Sequence, residues 1–184
     1  MKLFESFIDI AGTRQSVRSY LNKPVEKEKI ERCIEAARLA PSACNAQPWK
    51  FIVVDDQGLK NRIADQTSNK LLPLNHFTKQ APVHIVTVME KANITSNLGS
   101  KIRDKHLPMF DIGIAVEHIC LQAVEEGLGT CILGWFNEKE VMRLLNIPRS
   151  RRVALIITIG YPASDEIREK KRKTMDAVIS YNTY

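Results

Sequence analysis

The sequence predicts one compact domain of mixed helices and strands. Apolar residues recur at i, i+3, i+4 and i+7 in several stretches, and four short β-rich runs are bounded by proline or glycine. The 184 residues are 44% hydrophobic and 26% charged, enough chain to bury a core and an ordinary balance for a globular protein. Neither an internal repeat nor a splitting linker is visible, so the domain is expected to span 1–184. By pattern alone, helices alternating with strands suggest a doubly wound parallel sheet.

Leu3, Phe4, Phe7, Ile8 and Ala11 keep helical spacing, giving a first helix that ends near Gly12. Pro24 opens a second, with Ile30, Cys33, Ile34 and Ala37 on one stripe. It stops before Pro41, because a residue ahead of proline is pushed out of the helical region. A polar loop over 42–48 leads into a buried strand from Trp49 to Val54. Residues 59–70 predict a helix, and 71–82 carry no clear pattern. Val83 to Met89 is a second strand bounded by Pro82, and 90–108 are polar and aperiodic, the composition of a mobile loop. Asp111 is placed to cap a long helix with the stripe Ile112, Ala115, Val116, Ile119, Cys120, Ala123 and Val124. Gly127-Leu128-Gly129 ends it. A third strand follows at 130–133 and a short helix at 138–145, halted by Pro148. The fourth and most hydrophobic strand, 153–159, closes at Gly160-Tyr161-Pro162.

Composition narrows the function classes. No unbroken apolar run approaches the roughly 20 residues of a membrane helix, and the N-terminus lacks the long apolar segment of a signal peptide. A cytoplasmic protein with no membrane partner is expected. Cys33, Cys44, Cys120 and Cys131 form no C-x-x-C pair, and His76, His84, His106 and His118 are scattered, so no metal site is expected. Cys33 and Cys120 read as small core hydrophobes, and Cys44 as a buried, inert thiol with no base beside it in sequence. The formal net charge of +6 favours anionic partners without choosing among them.

Four segments carry chemistry. Thr13-Arg14-Gln15-Ser16-Val17-Arg18-Ser19-Tyr20 can offer two guanidinium forks, a hydroxyl and backbone amides to one anion; the plain alternative is a polar loop with exposed arginines. Ala40-Pro41-Ser42-Ala43-Cys44-Asn45-Ala46-Gln47-Pro48-Trp49 sets small and amide side chains between two prolines, a stiff loop suited to the edge of a flat heterocycle. In Glu126-Gly127-Leu128-Gly129-Thr130-Cys131-Ile132-Leu133-Gly134, the glycines follow a helix and precede a strand, the reverse of a dinucleotide fingerprint. Gly134, at the strand end, lets a backbone approach a ligand closely. Arg168-Glu169-Lys170-Lys171-Arg172-Lys173 is either a solvated basic tail or a phosphate clamp.

Together and in this order, the R-x-S-x-R box, the A-P-S-x-x-N-x-Q-P-W loop, the G-L-G-T-C…G segment and the G-Y-P…K-x-R-K tail resemble the nitroreductase family of FMN-dependent enzymes. The resemblance implies an α+β fold in place of the parallel default: a three-layer α-β-α sandwich with a mostly antiparallel central sheet flanked by helices. It also implies a homodimer built on the long helix near 111–126, with a C-terminal tail that reaches the partner subunit.

By the same resemblance Arg14 and Ser16 bind the FMN phosphate with Lys170 and Arg172, Gln15 is cofactor-binding, and Arg18 lies near the flavin pyrimidine edge. Pro41, Ser42, Ala43 and Asn45 meet the flavin across the interface, Asn75 approaches the pyrimidine ring, Leu133 is cofactor-binding, and Gly134 brings its backbone N–H to flavin N5. No side chain is then catalytic: NADH or NADPH gives hydride to flavin N5, and a small nitroaromatic or quinone acceptor takes it in ping-pong order. Departures are equally specific. Ala43 replaces a serine common in the family, Thr174 a proline that would fix the register of Lys170, Arg172 and Lys173, and the short 90–108 stretch implies an open acceptor site. Two alternatives remain: a flavin-binding redox sensor or flavin-consuming enzyme of the same fold, and a basic nucleic-acid-binding module. The second rests on one charged hexamer against four ordered motifs, so no nucleic-acid partner is expected.

Overall fold

The computed structural model describes residues 5–68, 74–90 and 106–184. Its elements are α1 (Phe7–Thr13), α2 (Lys27–Arg38), β1 (Trp49–Val54), α3 (Gln57–Asp65), β2 (Val83–Met89), α4 (Leu107–Glu125), β3 (Gly129–Leu133), α5 (Glu138–Leu144) and β4 (Arg152–Gly160). Short 3-10 turns occupy Ala43–Asn45, His76–Gln80 and Met175–Ala177.

The four strands form one sheet in the order β1-β2-β4-β3, every neighbouring pair antiparallel. The parallel default therefore fails, for a topological reason. The crossover through α4 does set β2 and β3 in the same direction, but β4, last in sequence, inserts between them and runs the other way. Both faces of the sheet are covered, so its central strands read as near-continuous apolar runs rather than alternating ones. On β2, Val83 and Ile85 point to one face and Val86 and Val88 to the other. On β4, Ile157 and Ile159 face the first layer and Val153 and Ile156 the second. That assignment is possible because a bulge leaves Ala154 unpaired between the partners of Thr87 and Val88.

One helical layer holds α2 and α4, with Ile30, Cys33 and Ala37 packed against Ile112, Val116 and Ile119. The other holds α3 and α5, through Ile63 and Val141. This is the three-layer α-β-α sandwich that the resemblance implied. α2 starts at Lys27 after Glu26 rather than at Pro24, which lies ahead of it. α1 begins at a capping box between Ser6 and Asp9 and exposes Phe7 and Ile8; Leu3 and Phe4 lie outside the described residues. α3 closes at Asp65, earlier than expected, and 69–70 are likewise outside.

The central helix departs from its expected start. α4 begins at Leu107 with Pro108 in its first turn, so Asp111 is no cap but a buried second-turn residue. Leu107 and Pro108 are helical rather than loop, and of the expected 90–108 loop, 91–105 lie outside the described residues. By length and composition α4 is apolar enough to cross a membrane, which a search for unbroken runs overlooks because Asp111 and Glu117 interrupt it. Seven of its residues are buried in the first layer and so make it a core helix. Gly127, at φ 72°, ends it in the left-handed conformation that glycine adopts without strain.

His84 on β2 is fully buried, and Nε2 donates to the Thr78 carbonyl at 3.0 Å while Nδ1 has no partner among the described residues. Burial, aided by Lys60, pushes its pKa down to about 4. Above pH 6.5 the ring is neutral folded or unfolded, and its contribution to stability is complete. As pH falls from 6.5 towards 4 the unfolded chain takes up a proton that the folded one refuses, removing about 3 kcal/mol. Thermal unfolding is expected to show this loss, and His84→Gln to flatten the profile in that window. An equally steep profile in the variant would assign the acid sensitivity elsewhere.

Candidate functional site

The Arg14–Tyr20 segment is laid along the free edge of β3. Ser16 bridges Thr130 in parallel, and the Val17 amide donates to the Thr130 carbonyl at 2.8 Å. Gly129 makes the approach possible, since a Cβ there would stand 2.4 Å from Val17 Cγ2 and 2.8 Å from its Cβ. The segment's far end is fixed by Tyr20, 6% exposed, whose hydroxyl meets Thr158 Oγ1 at 2.7 Å and donates to the Val17 carbonyl at 2.9 Å. The dinucleotide-like glycine pair is therefore structural: Gly127 turns the chain, and Gly129 admits Val17.

The C-terminal tail returns to the same segment. Tyr20 bridges Pro162, and Gln15 Nε2 donates to the Glu166 carbonyl at 2.8 Å. Arg168 donates to Gln15 Oε1 at 3.0 Å and to the Ser16 carbonyl at 2.5 Å, while Lys170 Nζ donates to the Arg14 carbonyl at 2.6 Å. Arg14, Gln15, Ser16, Arg18, Lys170 and Arg172 thus line one groove of about 330 Å³, joined there by Arg168, Lys171 and the carboxylate of Glu169. Lys170 sits below the usual lysine range, first through partial desolvation and then through Arg14, Arg172 and Arg168. A cluster of cations at this separation attracts an anion. Glu117 on α4 offsets part of this charge, with its carboxylate 3.4 Å from Arg14 Nε.

The 41–48 loop forms a second cluster. Its 3-10 turn packs on the start of α4, where Asp111 Oδ1 accepts the Ala43 amide at 3.1 Å. Ser42 uses its hydroxyl inside the loop, accepting the Gln47 amide at 2.9 Å, and Asn45 Oδ1 accepts from Gln47 Nε2 at 2.9 Å. Cys44, Asn45 and Gln47 all have φ near +50°. That bend carries the Cys44 side chain outwards, so Cys44 is exposed rather than buried as expected. Cys33 and Cys120 are buried as expected, and burial pushes each thiol up to about 12.

Leu133 is buried at the end of β3, and Gly134 beyond it is exposed, with only Leu155 Cδ2 within 4.0 Å of where a Cβ would sit. From the Ser16 contact at Thr130 to Gly134 the strand spans roughly 13 Å. Asn75 Nδ2 donates to the Thr67 carbonyl at 3.1 Å, and the Asn137 amide to that of neighbouring Gln66 at 2.8 Å. Asn75 therefore lies on the side where the chain leaves β3, away from the cationic groove. Pro41, Ser42, Ala43 and Asn45 precede β1, at the opposite edge of the sheet and roughly 14 Å away across three strand spacings. Within one chain the expected residues thus fall in two groups. Sequence reasoning missed Arg168 as a groove residue and two of the α4 carboxylates as site residues, Asp111 and Glu117. Among the described residues no three His, Cys, Asp or Glu side chains gather as a metal site.

The model of the nitroreductase family matches residues 11–161. An FMN reductase [NAD(P)H] of Bacillus subtilis is 30% identical over 92% of this chain and 71% of its own length. An iodotyrosine deiodinase of Thermotoga neapolitana is 27% identical over 96% of this chain and 97% of its own. The structure of an FMN-dependent nitroreductase from Clostridium difficile superposes with a TM-score of 0.76 at 30% identity, covering 96% of this chain and 99% of that one.

Gly129→Ala is expected to destabilise the fold by about 1–3 kcal/mol, because the added methyl meets Val17 and must push the arginine-bearing segment off β3. Denaturant unfolding measures it, and an unchanged midpoint would remove the packing account of this glycine.

Proposed function

This chain belongs to the nitroreductase family, and from that premise we propose that it is an FMN-dependent oxidoreductase using NADH or NADPH to reduce a small acceptor of nitroaromatic or quinone type. The observation that carries the reading is the convergence of Arg14, Ser16, Lys170 and Arg172 on one groove, although 156 residues separate Arg14 from Lys170.

The residues fit the cofactor. A phosphate dianion suits a groove whose lysine is lowered by desolvation and then by neighbouring cations, and guanidinium forks bind phosphate through short, charge-assisted bonds. Arg14 and Ser16 would hold that phosphate with Lys170 and Arg172, and Gln15 keeps the tail in place through Glu166 and Arg168. Arg18 would supply positive charge at the pyrimidine edge, favouring the reduced, anionic ring. Leu133 is buried and fixes the strand end, so the exposed backbone of Gly134 can present its N–H at N5. Pro41, Ser42, Ala43 and Asn45 would contact the ring from a second subunit, and Asn75 would approach its pyrimidine side. When bound, flavin would supply the redox chemistry between the nicotinamide and an acceptor, which would use the site in ping-pong order. The chain's own part is to bind, orient and tune.

A homodimer follows from the same reading, because the two groups of site residues lie at opposite edges of the sheet in one chain. The surface suits it: Phe7 and Ile8 on α1 are 64% and 75% exposed and Phe110 on α4 is 61% exposed. Val178 and Tyr181 are exposed on a tail that could cross to the partner. The whole chain, 1–184, acts as one domain on this reading. Its place is the cytoplasm, where nicotinamide is supplied and cysteines stay reduced.

Arg14→Ala is expected to weaken FMN binding by about 1.5–3 kcal/mol, roughly 10- to 100-fold, with the dimer retained on gel filtration. Unchanged FMN affinity would count against the phosphate assignment. The reading as a whole is tested by the visible spectrum of the purified protein during anaerobic addition of NADH and then NADPH. Bleaching of a flavin spectrum is expected, and its rate with each nucleotide gives the preference. A flavin spectrum unmoved by both would favour a redox sensor or flavin-consuming enzyme, and a protein that cannot take up FMN would sink the reading.

A further inference from the structure

The bend at 44–47 rests on an uncommon backbone. Cys44, Asn45 and Gln47 have φ of 52°, 51° and 45°, and none is glycine. Such conformations persist where neighbouring groups hold them. The bonds from the Gln47 amide to Ser42 Oγ and from Gln47 Nε2 to Asn45 Oδ1 shape the bend from inside, and would travel with the loop if it shifted. Asp111 ties it to the core. Its side chain, 5% exposed in the second turn of α4, accepts the Ala43 amide at 3.1 Å on Oδ1. Oδ2 is buried and meets no donor among the described residues. A carboxylate held in the core by a single amide is a costly choice for packing alone, since an apolar side chain would fill the space without desolvating a charge.

We propose that Asp111 is a positioning residue for the cofactor-binding loop: carried on a helix buried between α2 and the sheet, it fixes Ala43 and with it the left-handed bend in the shape that meets the flavin. The inference rests on the reading of 41–47 as a flavin-contacting loop. It assigns Asp111 no contact with the reacting atoms.

Three variants isolate the bond. Asp111→Asn keeps the shape and the Oδ1 acceptor without the charge, whereas Asp111→Ala removes the acceptor. Ala43→Pro removes the donor, and Ser42 ahead of it is already extended at φ −146° and ψ 155°, the conformation favoured by a residue before proline. Hydrogen exchange of amides 44–47 in the apo protein reads the anchoring directly, and fluorescence titration with FMN reads its consequence. Asp111→Ala and Ala43→Pro are each expected to speed exchange and weaken FMN binding by about tenfold, the worth of a hydrogen bond to a charged group. Asp111→Asn should stay within about threefold of the wild type on both, and the Asp111→Ala/Ala43→Pro double variant should be no worse than either single. Should Asp111→Ala fail to fold, Ala43→Pro and Asp111→Asn decide between them. Unchanged exchange in the variants, asparagine as damaging as alanine, or additive losses in the double variant would each overturn the anchoring while leaving the flavin reading intact. Faster exchange in a chain whose wild type takes up no FMN would overturn the flavin reading, and the loop's cofactor role with it.

Discussion

The burial of α4 between α2 and the sheet is the constraint from which the candidate site takes its geometry. Its inner face is committed by Ile112, Ala115, Val116, Ile119 and Ala123, so the rotation of the helix about its axis is fixed. Fixing that rotation also fixes what the other faces present. Asp111 is turned towards the 41–48 loop, and Glu117, roughly 9 Å further along the axis, towards Arg14. Phe110 and Ile114 are left on the outer surface. One packed helix therefore touches both groups of expected site residues and supplies apolar surface for an interface.

The cationic groove is assembled in a way that keeps its charge available. Lys170 and Arg168 are tied to the carbonyls of Arg14 and Ser16, neutral acceptors that orient a cation without cancelling it. Elsewhere the chain pairs its arginines with carboxylates: Arg32 with Glu126, Arg151 with Glu90, Arg152 with Glu138. Among the described residues, the ion pair at the groove is Arg14–Glu117, and at 3.4 Å it is looser than those three. A surface built for stability alone would gain by pairing these charges; one built to receive an anion gains by ordering them and leaving them uncompensated.

Most of the fold was legible because its signals are local. The strand runs at Trp49, Val83 and Thr130 and the helical stripe on α4 stand out by composition and period, and the structure moves the ends of those strands by only a residue or so. Strand direction was not legible: nothing local tells β4 to insert between β2 and β3, and only the motif resemblance pointed to an antiparallel sheet. The start of α4 was misplaced because Asp111 has the residue type of a cap, while Leu107 and Pro108 look like the end of a loop. Cys44 was misjudged for a related reason, since its exposure follows from a left-handed φ that residue type does not announce. The basic run was legible as charge, but which of its members face the groove depends on how the tail returns past Tyr20 and Gln15, a long-range fact.

The same long-range geometry bears on why the expected residues divide as they do. Arg14, Ser16, Gly134 and the tail gather along β3, whereas Pro41, Ser42, Ala43 and Asn45 gather ahead of β1, with β4 and β2 between. The register nevertheless brings the exit of β3 and the entry of β1 to the same end of the sheet, because β1 and β3 run in opposite directions. Two-fold pairing of two chains through α4 could then set the β3 exit of one beside the β1 entry of the other. A site completed only on association needs the second chain's loop to arrive preformed, since ordering it afterwards would subtract from binding. That requirement is met by a bend braced within the loop and pinned to α4, the helix proposed to carry the interface.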